Sequence, residues 1–103
     1  MSVESVILIN LMKVKPGKQE ALIALLKQNT DNVVRALPSW KTTQLIAAKD
    51  GAGVVIDSEW ESPAAVEAMR SDPHMKAYLP QLIELASLDS IMSSAVLNET
   101  RRG

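Results

Sequence analysis

The amino-acid sequence predicts one α+β domain with the element order β-α-β-β-α-β and a four-stranded antiparallel sheet. Its length of 103 residues fits a single domain. Stretches with the apolar spacing of strands alternate with stretches of helical spacing, and turns that contain proline or glycine separate them. We therefore predict a single domain over residues 1–103, with a flexible polar tail over 98–103.

The first half of the chain predicts a strand followed by a long helix. The strand covers 3–14 and is apolar on both faces, which is typical of a central strand that is covered on both sides. Pro16 and Gly17 end this strand. Apolar residues then recur at three- and four-residue steps, which predicts an amphipathic helix over 18–37 that Pro38 stops.

The second half predicts a hairpin, a broken helical region and a last strand. Ser62 and Asp72 each offer a capping side chain directly before a proline, which is well tolerated in the first turn of a helix. The second helical region is therefore predicted to be broken at Asp72 and Pro73, and its second segment to run past Pro80. The predicted bounds are 40–48 and 54–60 for the hairpin strands, 63–70 and 73–85 for the helical segments, and 88–97 for the last strand.

The expected helix positions leave one face of the sheet uncovered. Crossover connections are nearly always right-handed, and this places both helical regions on the same face. The first strand presents Ile7, Ile9 and Leu11 to the other face, and soluble proteins rarely leave such an apolar patch in water. We therefore predict a homodimer in which two copies pair through their open sheet faces.

Composition argues against several classes of function. Eleven basic and twelve acidic residues give a formal net charge of -1, so neither nucleic acid nor a membrane surface is a predicted partner. The longest apolar run, 21–26, is too short to cross a bilayer, and we expect no secretory signal. With one histidine and no cysteine, we predict neither a zinc site nor a disulfide, and we expect a reducing cytoplasm.

Several short motifs resemble the antibiotic biosynthesis monooxygenase family over about residues 6 to 97. They are Ile7-Leu8-Ile9-Asn10 running into Val14-Lys15-Pro16-Gly17, then Leu37-Pro38-Ser39-Trp40, Glu59-Trp60-Glu61-Ser62 and Asp72-Pro73. The resemblance implies a ferredoxin-like subunit that forms a dimeric α+β barrel, with a pocket between sheet and helices. It also implies oxidation of polycyclic phenols or anthrones to quinones by molecular oxygen, without metal or organic cofactor.

The resemblance further implies roles for particular residues. The family's first-strand asparagine matches Asn10 and its third-strand tryptophan matches Trp60, whereas an asparagine four residues before that tryptophan is Ile56 here. The Asn10 amide would stabilise charge that develops on a substrate oxygen, and Trp60 would form an aromatic wall. A haem-degrading branch of the same fold uses a tryptophan and a histidine that fall near Met69 and Leu79, and neither matches, so haem is not expected.

The remaining candidates are two polar side chains and a set of apolar lining residues. His74 is the single histidine and a candidate base, although its position in a first helical turn also fits simple exposure. Tyr78 would share a helix face with His74 and could offer a phenol to a ligand. The predicted apolar lining comprises Leu8, Met12, Leu22, Leu26, Ile56 and Met69.

Each of the other candidates also has a structural interpretation. Asn10 can be a buried amide that bonds to neighbouring backbone, and Trp60 can be an ordinary core residue. The acidic residues that alternate along the third strand, Asp57, Glu59 and Glu61, can hold a cation or pair with lysines at the rim of the sheet.

Three hypotheses for the function follow from these candidates. The leading one is a cofactor-free monooxygenase that acts on a planar phenolic or polycyclic aromatic compound. The second is a dimeric module that binds a small molecule without catalysis, which the apolar Ile56 suggests. The third is an isomerase of a small carbonyl compound that uses His74 or Tyr78, because one fold can host different chemistries.

Overall fold

The computed structural model describes residues 5–101, and within this range the chain forms four strands and three α-helices. This confirms the predicted α+β class, with the second helical region divided into two helices. The strands are β1 (Val6–Val14), β2 (Trp40–Ala47), β3 (Gly53–Trp60) and β4 (Ala86–Ser93). The helices are α1 (Gln19–Asn32), α2 (Pro63–Ser71) and α3 (Pro73–Leu85), and a short 3-10 turn covers Val34–Ala36.

The sheet is antiparallel, and its strand order is β2-β3-β1-β4. The prediction that β1 is central is confirmed, because β1 pairs with β3 on one side and with β4 on the other. Asn10 of β1 lies opposite Ile56 of β3 and opposite Ser90 of β4. Directly opposite side chains share a face of the sheet, so these three residues form one row across it.

The helices pack on one face of the sheet, where the core divides into two clusters. In strands, alternate residues point to the same face, and the buried residues of β1 and β3 all belong to the helix-facing set. The first cluster consists of Leu8, Val34, Trp60, Ala65, Val66 and Met69. The second consists of Met12, Leu22, Leu26, Val54 and Ala86.

One helix prediction was wrong in extent. The first helix ends at Asn32 rather than near residue 37, and the chain continues as a 3-10 turn. The cause lies in Val33 and Val34, which are weak helix formers and bury their side chains in the core. The last helix runs past Pro80 to Leu85 as predicted, and Leu82 and Leu85 pack against the second cluster.

The bounds of the outer strands also differ from the prediction. The last strand covers Ala86–Ser93 rather than 88–97, because Ser93 pairs with Ile7 and β1 begins at Val6. Within residues 5–101, the pairing of β4 with β1 ends at Ser93. The predicted first strand included residues 3–4, and the predicted tail included 102–103, both of which lie outside the described residues.

The helices between residues 5 and 101 were compared with the length and apolar character that a membrane-spanning helix needs. Within residues 5–101, no helix has the length and apolar character needed to cross a membrane.

Candidate functional site

A cavity of about 200 Å³ lies between the sheet and the helices and borders both core clusters. Leu8 and Met69 of the first cluster and Leu26 of the second form part of the cavity wall. The sheet contributes Leu8, Asn10, Ile56, Leu88 and Ser90. The helices contribute Leu26, Asn29, Met69, Arg70, Met75, Lys76, Tyr78, Leu79 and Leu82.

Asn10 is the polar group that the central strand brings to the cavity. The hydroxyl of Ser90, directly across from it on β4, donates a hydrogen bond to Asn10 Oδ1. This bond fixes the orientation of the amide. Within residues 5–101, Asn10 Nδ2 donates no hydrogen bond, so both of its N–H groups are available to a bound molecule.

Asn29 brings a second amide to the cavity from α1, and the sequence analysis did not identify it. It follows Leu26 by three residues and Leu22 by seven, so it continues the buried stripe of the helix. Its Oδ1 is buried and accepts no hydrogen bond from the described part of the chain. Buried polar atoms in proteins nearly always have a partner, and this one is an exception that needs an explanation.

Two cations complete the polar lining, Arg70 near the end of α2 and Lys76 near the start of α3. Among the lining residues that the structure describes there is no carboxylate. Arg70 Nη1 lies 3.1 Å from Glu67 Oε1, an exposed pair of the kind that water largely screens. Between residues 5 and 101, no carboxylate oxygen lies within 4.0 Å of Lys76 Nζ.

The junction between α2 and α3 separates these two cations along the chain, and both are exposed. A single residue, Asp72, separates the two helices and caps α3. Its Oδ1 accepts hydrogen bonds from the backbone N–H groups of His74, at 2.8 Å, and Met75, at 3.3 Å. The Asp72 carboxylate is therefore engaged by the helix N-terminus, where a negative charge is favourable.

The structure brings together most of the residues that the sequence predicts for the site. Asn10 and Tyr78 both line the cavity. So do four of the predicted apolar residues: Leu8, Leu26, Ile56 and Met69.

Four predicted site residues lie outside the lining. Met12 and Leu22 belong to the second core cluster. Trp60 is 2% exposed in the first cluster, and its indole Nε1 donates to Ser58 Oγ at 3.0 Å, so its N–H is already used. The side chain of His74 is 80% exposed, with Nδ1 3.4 Å from Asp72 Oδ1.

The acidic residues of β3 are not part of the cavity. By the alternation of the strand, Asp57 and Glu59 point to the face that carries no helix. Lys41 Nζ lies 3.7 Å from Glu59 Oε2, a partly exposed ion pair. Within residues 5–101, no three or more histidine, aspartate or glutamate side chains come close enough together to hold a metal ion.

Comparisons with known proteins identify relatives of this chain. The family model for antibiotic biosynthesis monooxygenases matches residues 5–81. Tetracenomycin-F1 monooxygenase from Streptomyces glaucescens is 32% identical over 71 residues, which span 69% of this chain and 63% of that protein. The matched part is thus less than two thirds of the relative's length.

Solved structures show the same fold. Rv0793 from Mycobacterium tuberculosis matches with a TM-score of 0.78 and 26% identity, over 95% of this chain and 100% of that one. SnoaB, a cofactor-independent oxygenase from Streptomyces nogalater, matches with a TM-score of 0.83 and 15% identity, over 93% and 97% of the two chains. At that identity, the likeness to SnoaB shows the fold alone.

Proposed function

Because the chain belongs to the antibiotic biosynthesis monooxygenase family, we propose that it is a cofactor-independent monooxygenase that converts a planar phenolic compound to a quinone. The observation that carries this proposal is the Asn10 amide, which Ser90 orients within a mostly apolar cavity. Donors held in such a site stabilise charge on a substrate oxygen more strongly than water-exposed donors do, because they need no reorganisation.

The proposed reaction begins with loss of the phenol proton. The phenolate transfers one electron to O₂, and the resulting aryloxyl radical and superoxide combine at a ring carbon. Loss of water from this peroxide leaves a second carbonyl, so that a phenol and O₂ give a quinone and H₂O. Asn10 Nδ2 would donate to the phenolate oxygen, and the positive charges of Arg70 and Lys76 would favour the ionised substrate.

The proton has a route to solvent in this scheme. Within the described lining no histidine or carboxylate is present to act as a base. Stabilisation of the phenolate lowers the pKa of a bound phenol, and water at the mouth can then accept the proton. The protein therefore acts by favouring the anion rather than by general base catalysis.

The size of the cavity favours a small substrate. Its volume of about 200 Å³ lies below the roughly 300–1,000 Å³ that is usual for ligand pockets. A phenol with one or two fused rings therefore fits the site better than a larger polycyclic compound. A larger compound would extend through the open mouth of the cavity or require outward movement of α3, which contributes Tyr78, Leu79 and Leu82 to the wall.

Oxygen consumption tests the proposed activity. Protein that has been treated with a metal chelator and contains no flavin is mixed with a panel of naphthols and dihydroxynaphthalenes. The uptake of ¹⁸O₂ and the mass of the quinone product are then measured. We expect one labelled atom in the quinone and the other in water. Asn10→Ala should lower kcat/KM on the order of 10²-fold, because the substrate oxygen loses its amide donor.

An exposed asparagine provides the control for this experiment. Asn32 lies at the end of α1 and outside the cavity, so Asn32→Ala should retain wild-type turnover. Absence of oxygen uptake across the panel, or equal turnover by the Asn10→Ala and wild-type proteins, contradicts the proposal.

A second candidate function is binding without catalysis, and Ile56 favours it. Ile56 lies directly opposite Asn10 and lines the cavity, where the family resemblance implies an asparagine. A hydrocarbon at this point offers a ligand apolar contact but no donor. Native mass spectrometry that shows a retained small molecule, together with no oxygen uptake, would support this second function over the first.

The proposed assembly is a homodimer through the face of the sheet that carries no helix. On this face β1 presents Ile7, Ile9 and Leu11, and Ile91 of β4 lies opposite Ile9. Leu11 and Ile91 are exposed. A second copy supplies the same apolar surface in a twofold arrangement, which buries both patches at once.

A further inference from the structure

The proposed reaction does not account fully for two kinds of polar group in the cavity, which are cations and a hydrogen-bond acceptor. The junction of α2 and α3 supplies the cations Arg70 and Lys76. Helix α1 supplies Asn29, whose Oδ1 is buried and unbonded within residues 5–101. A molecule that occupies the cavity meets positive charge from one set and an acceptor from the other.

The cations indicate an anionic group on the ligand. The described lining of the cavity contains two cations and no carboxylate. The chain as a whole has a formal charge of -1, so this local excess of positive charge does not come from a generally basic surface. Lys76 has no carboxylate within 4.0 Å among residues 5–101, and Arg70 has only the exposed Glu67. A guanidinium and an ammonium together match a carboxylate, which can accept hydrogen bonds from both.

The Asn29 acceptor indicates a hydroxyl on the ligand. A buried amide oxygen without a partner destabilises the protein. Methyl or ring C–H groups cannot satisfy it, whereas a phenolic O–H can. Asn29 comes from a different helix than the two cations, so the hydroxyl and the anionic group must lie on different parts of the ligand.

We infer that the cavity takes a hydroxylated aromatic carboxylic acid, bound by Arg70 and Lys76 through its carboxylate and by Asn29 Oδ1 through a hydroxyl that stays protonated and is separate from the one that ionises beside Asn10. This deepens the proposed function, on which it rests for the reaction itself, by naming the class of phenol. The size of the cavity sets the ring system at about two fused rings.

Calorimetric titration with matched naphthalene probes tests the inference. The 5-, 6- and 7-hydroxy-2-naphthoic acids are titrated into the full-length protein without oxygen, and the tightest isomer is then compared with its methyl ester and its methoxy acid. The ester removes the negative charge, and the methoxy acid removes the O–H donor. We expect each change to weaken binding tenfold or more.

Charge-matched variants test the role of the cations. Arg70→Gln with Lys76→Gln should abolish the preference for the acid over the ester. The control is Arg35→Gln with Lys27→Gln, which has the same net charge. Arg35 forms a comparable exposed pair with Asp31, at 3.6 Å, and neither control residue lines the cavity. The control should keep the full preference.

An asparagine pair tests the hydroxyl contact in the same way. Asn29→Leu should make the hydroxy and methoxy acids bind equally, whereas Asn32→Leu, at the exposed end of α1, should leave their ratio unchanged. The inference is overturned if the ester binds as tightly as the acid. It is also overturned if both double variants lose the preference equally.

The outcome of this test is separate from that of the proposed function. Binding is measured without oxygen, so the predicted preferences support the inference even for a protein that consumes no O₂. Conversely, turnover of uncharged naphthols with no preference for acids would support the oxygenase and overturn the carboxylate site.

Discussion

Two asparagines give the cavity complementary hydrogen-bonding groups. The Ser90 hydroxyl donates to Asn10 Oδ1, so the Asn10 amide presents its N–H groups as donors to the cavity. Asn29 presents a free oxygen that the described chain does not satisfy. The other lining residue from α1, Leu26, is apolar, so a hydrocarbon at position 29 would make this part of the wall more stable. Natural proteins often retain such costs where they bind ligands.

We expect Asn29→Leu to stabilise the ligand-free protein. Leucine removes an unpaired buried acceptor and is the better helix former. Together these effects should raise the free energy of unfolding by about 1–2 kcal/mol. Urea denaturation, with the slope of the transition checked against the wild type, measures the change.

The same substitution at Asn32 separates the effect of the unpaired acceptor from the effect of helix propensity. Asn32 is exposed at the last position of α1, so Asn32→Leu changes helix propensity without relieving a buried acceptor. It should gain no more than a few tenths of a kcal/mol. Equal stabilisation by both variants would mean that the unpaired oxygen of Asn29 has no energetic cost.

Alternation along a strand predicts the face of a side chain but not what covers it. Asn10 and Trp60 both point toward the helices, and both were predicted to serve the site. Only Asn10 reaches the cavity, because Val34 and Val66 cover the end of the sheet where Trp60 lies. The acceptor for its indole, Ser58, comes from the same strand. The contacts with Val34 and Val66 depend on how the helices are placed, which the sequence pattern does not specify.

The cavity residues that sequence analysis missed differ in how much structural information is needed to identify them. Asn29 interrupts the apolar stripe of α1, and a polar residue in that stripe is a signal that can be found from spacing alone. Ser90 becomes meaningful only when the register of β4 against β1 is known. Arg70 and Lys76 look like ordinary solvated helix positions until the cavity beside them is seen.

The junction of α2 and α3 is the element on which the proposed acid recognition depends. Arg70 and Lys76 belong to different helices, and Asp72 is the single residue between those helices. The Asp72 side chain accepts two backbone N–H groups of α3, so it sets where that helix begins. The relative position of the two cations therefore depends on this cap.

Replacement of the cap should affect both stability and binding. Asp72→Ala should lower the free energy of unfolding by about 1 kcal/mol, because the first turn of α3 loses its acceptor. It should also weaken binding of the hydroxynaphthoic acids. Asp72→Asn retains a capping oxygen and should preserve most of both properties, as measured by thermal unfolding and calorimetry. Equal losses in the two variants would contradict a capping role.

Local signals predicted where elements begin better than where they end. Ser62 and Asp72 were identified as caps from residue type and the following proline, and both accept backbone N–H groups as expected. Long-range contacts set the other ends: burial of Val34 shortens α1, and pairing with β1 limits β4 to Ser93. No local pattern around these ends carries that information.

At the scale of the whole molecule, the sheet has two unlike faces and helices on only one of them. The open face carries the apolar residues of β1 together with Ile91 of β4. Asp57 and Glu59 of β3 point to the same face, and so does Asp89 of β4, which lies opposite Leu11. A twofold pairing centred on Ile9 and Ile91, which lie opposite each other, would bury apolar surface.

Two isoleucines of equal exposure allow a strict test of the dimer. Ile91 on the open face is 50% exposed and Ile83 on α3 is 48% exposed, so a change to lysine replaces a similar amount of buried apolar surface at either site. If the open face is the contact between copies, Ile91→Lys places a charge in an apolar interface and should shift the protein to monomers. Sedimentation equilibrium at micromolar concentration should then show dimers for the wild type and for Ile83→Lys. A monomeric wild type, or a dimer that survives Ile91→Lys but not Ile83→Lys, would place the contact elsewhere and leave the open face exposed to water.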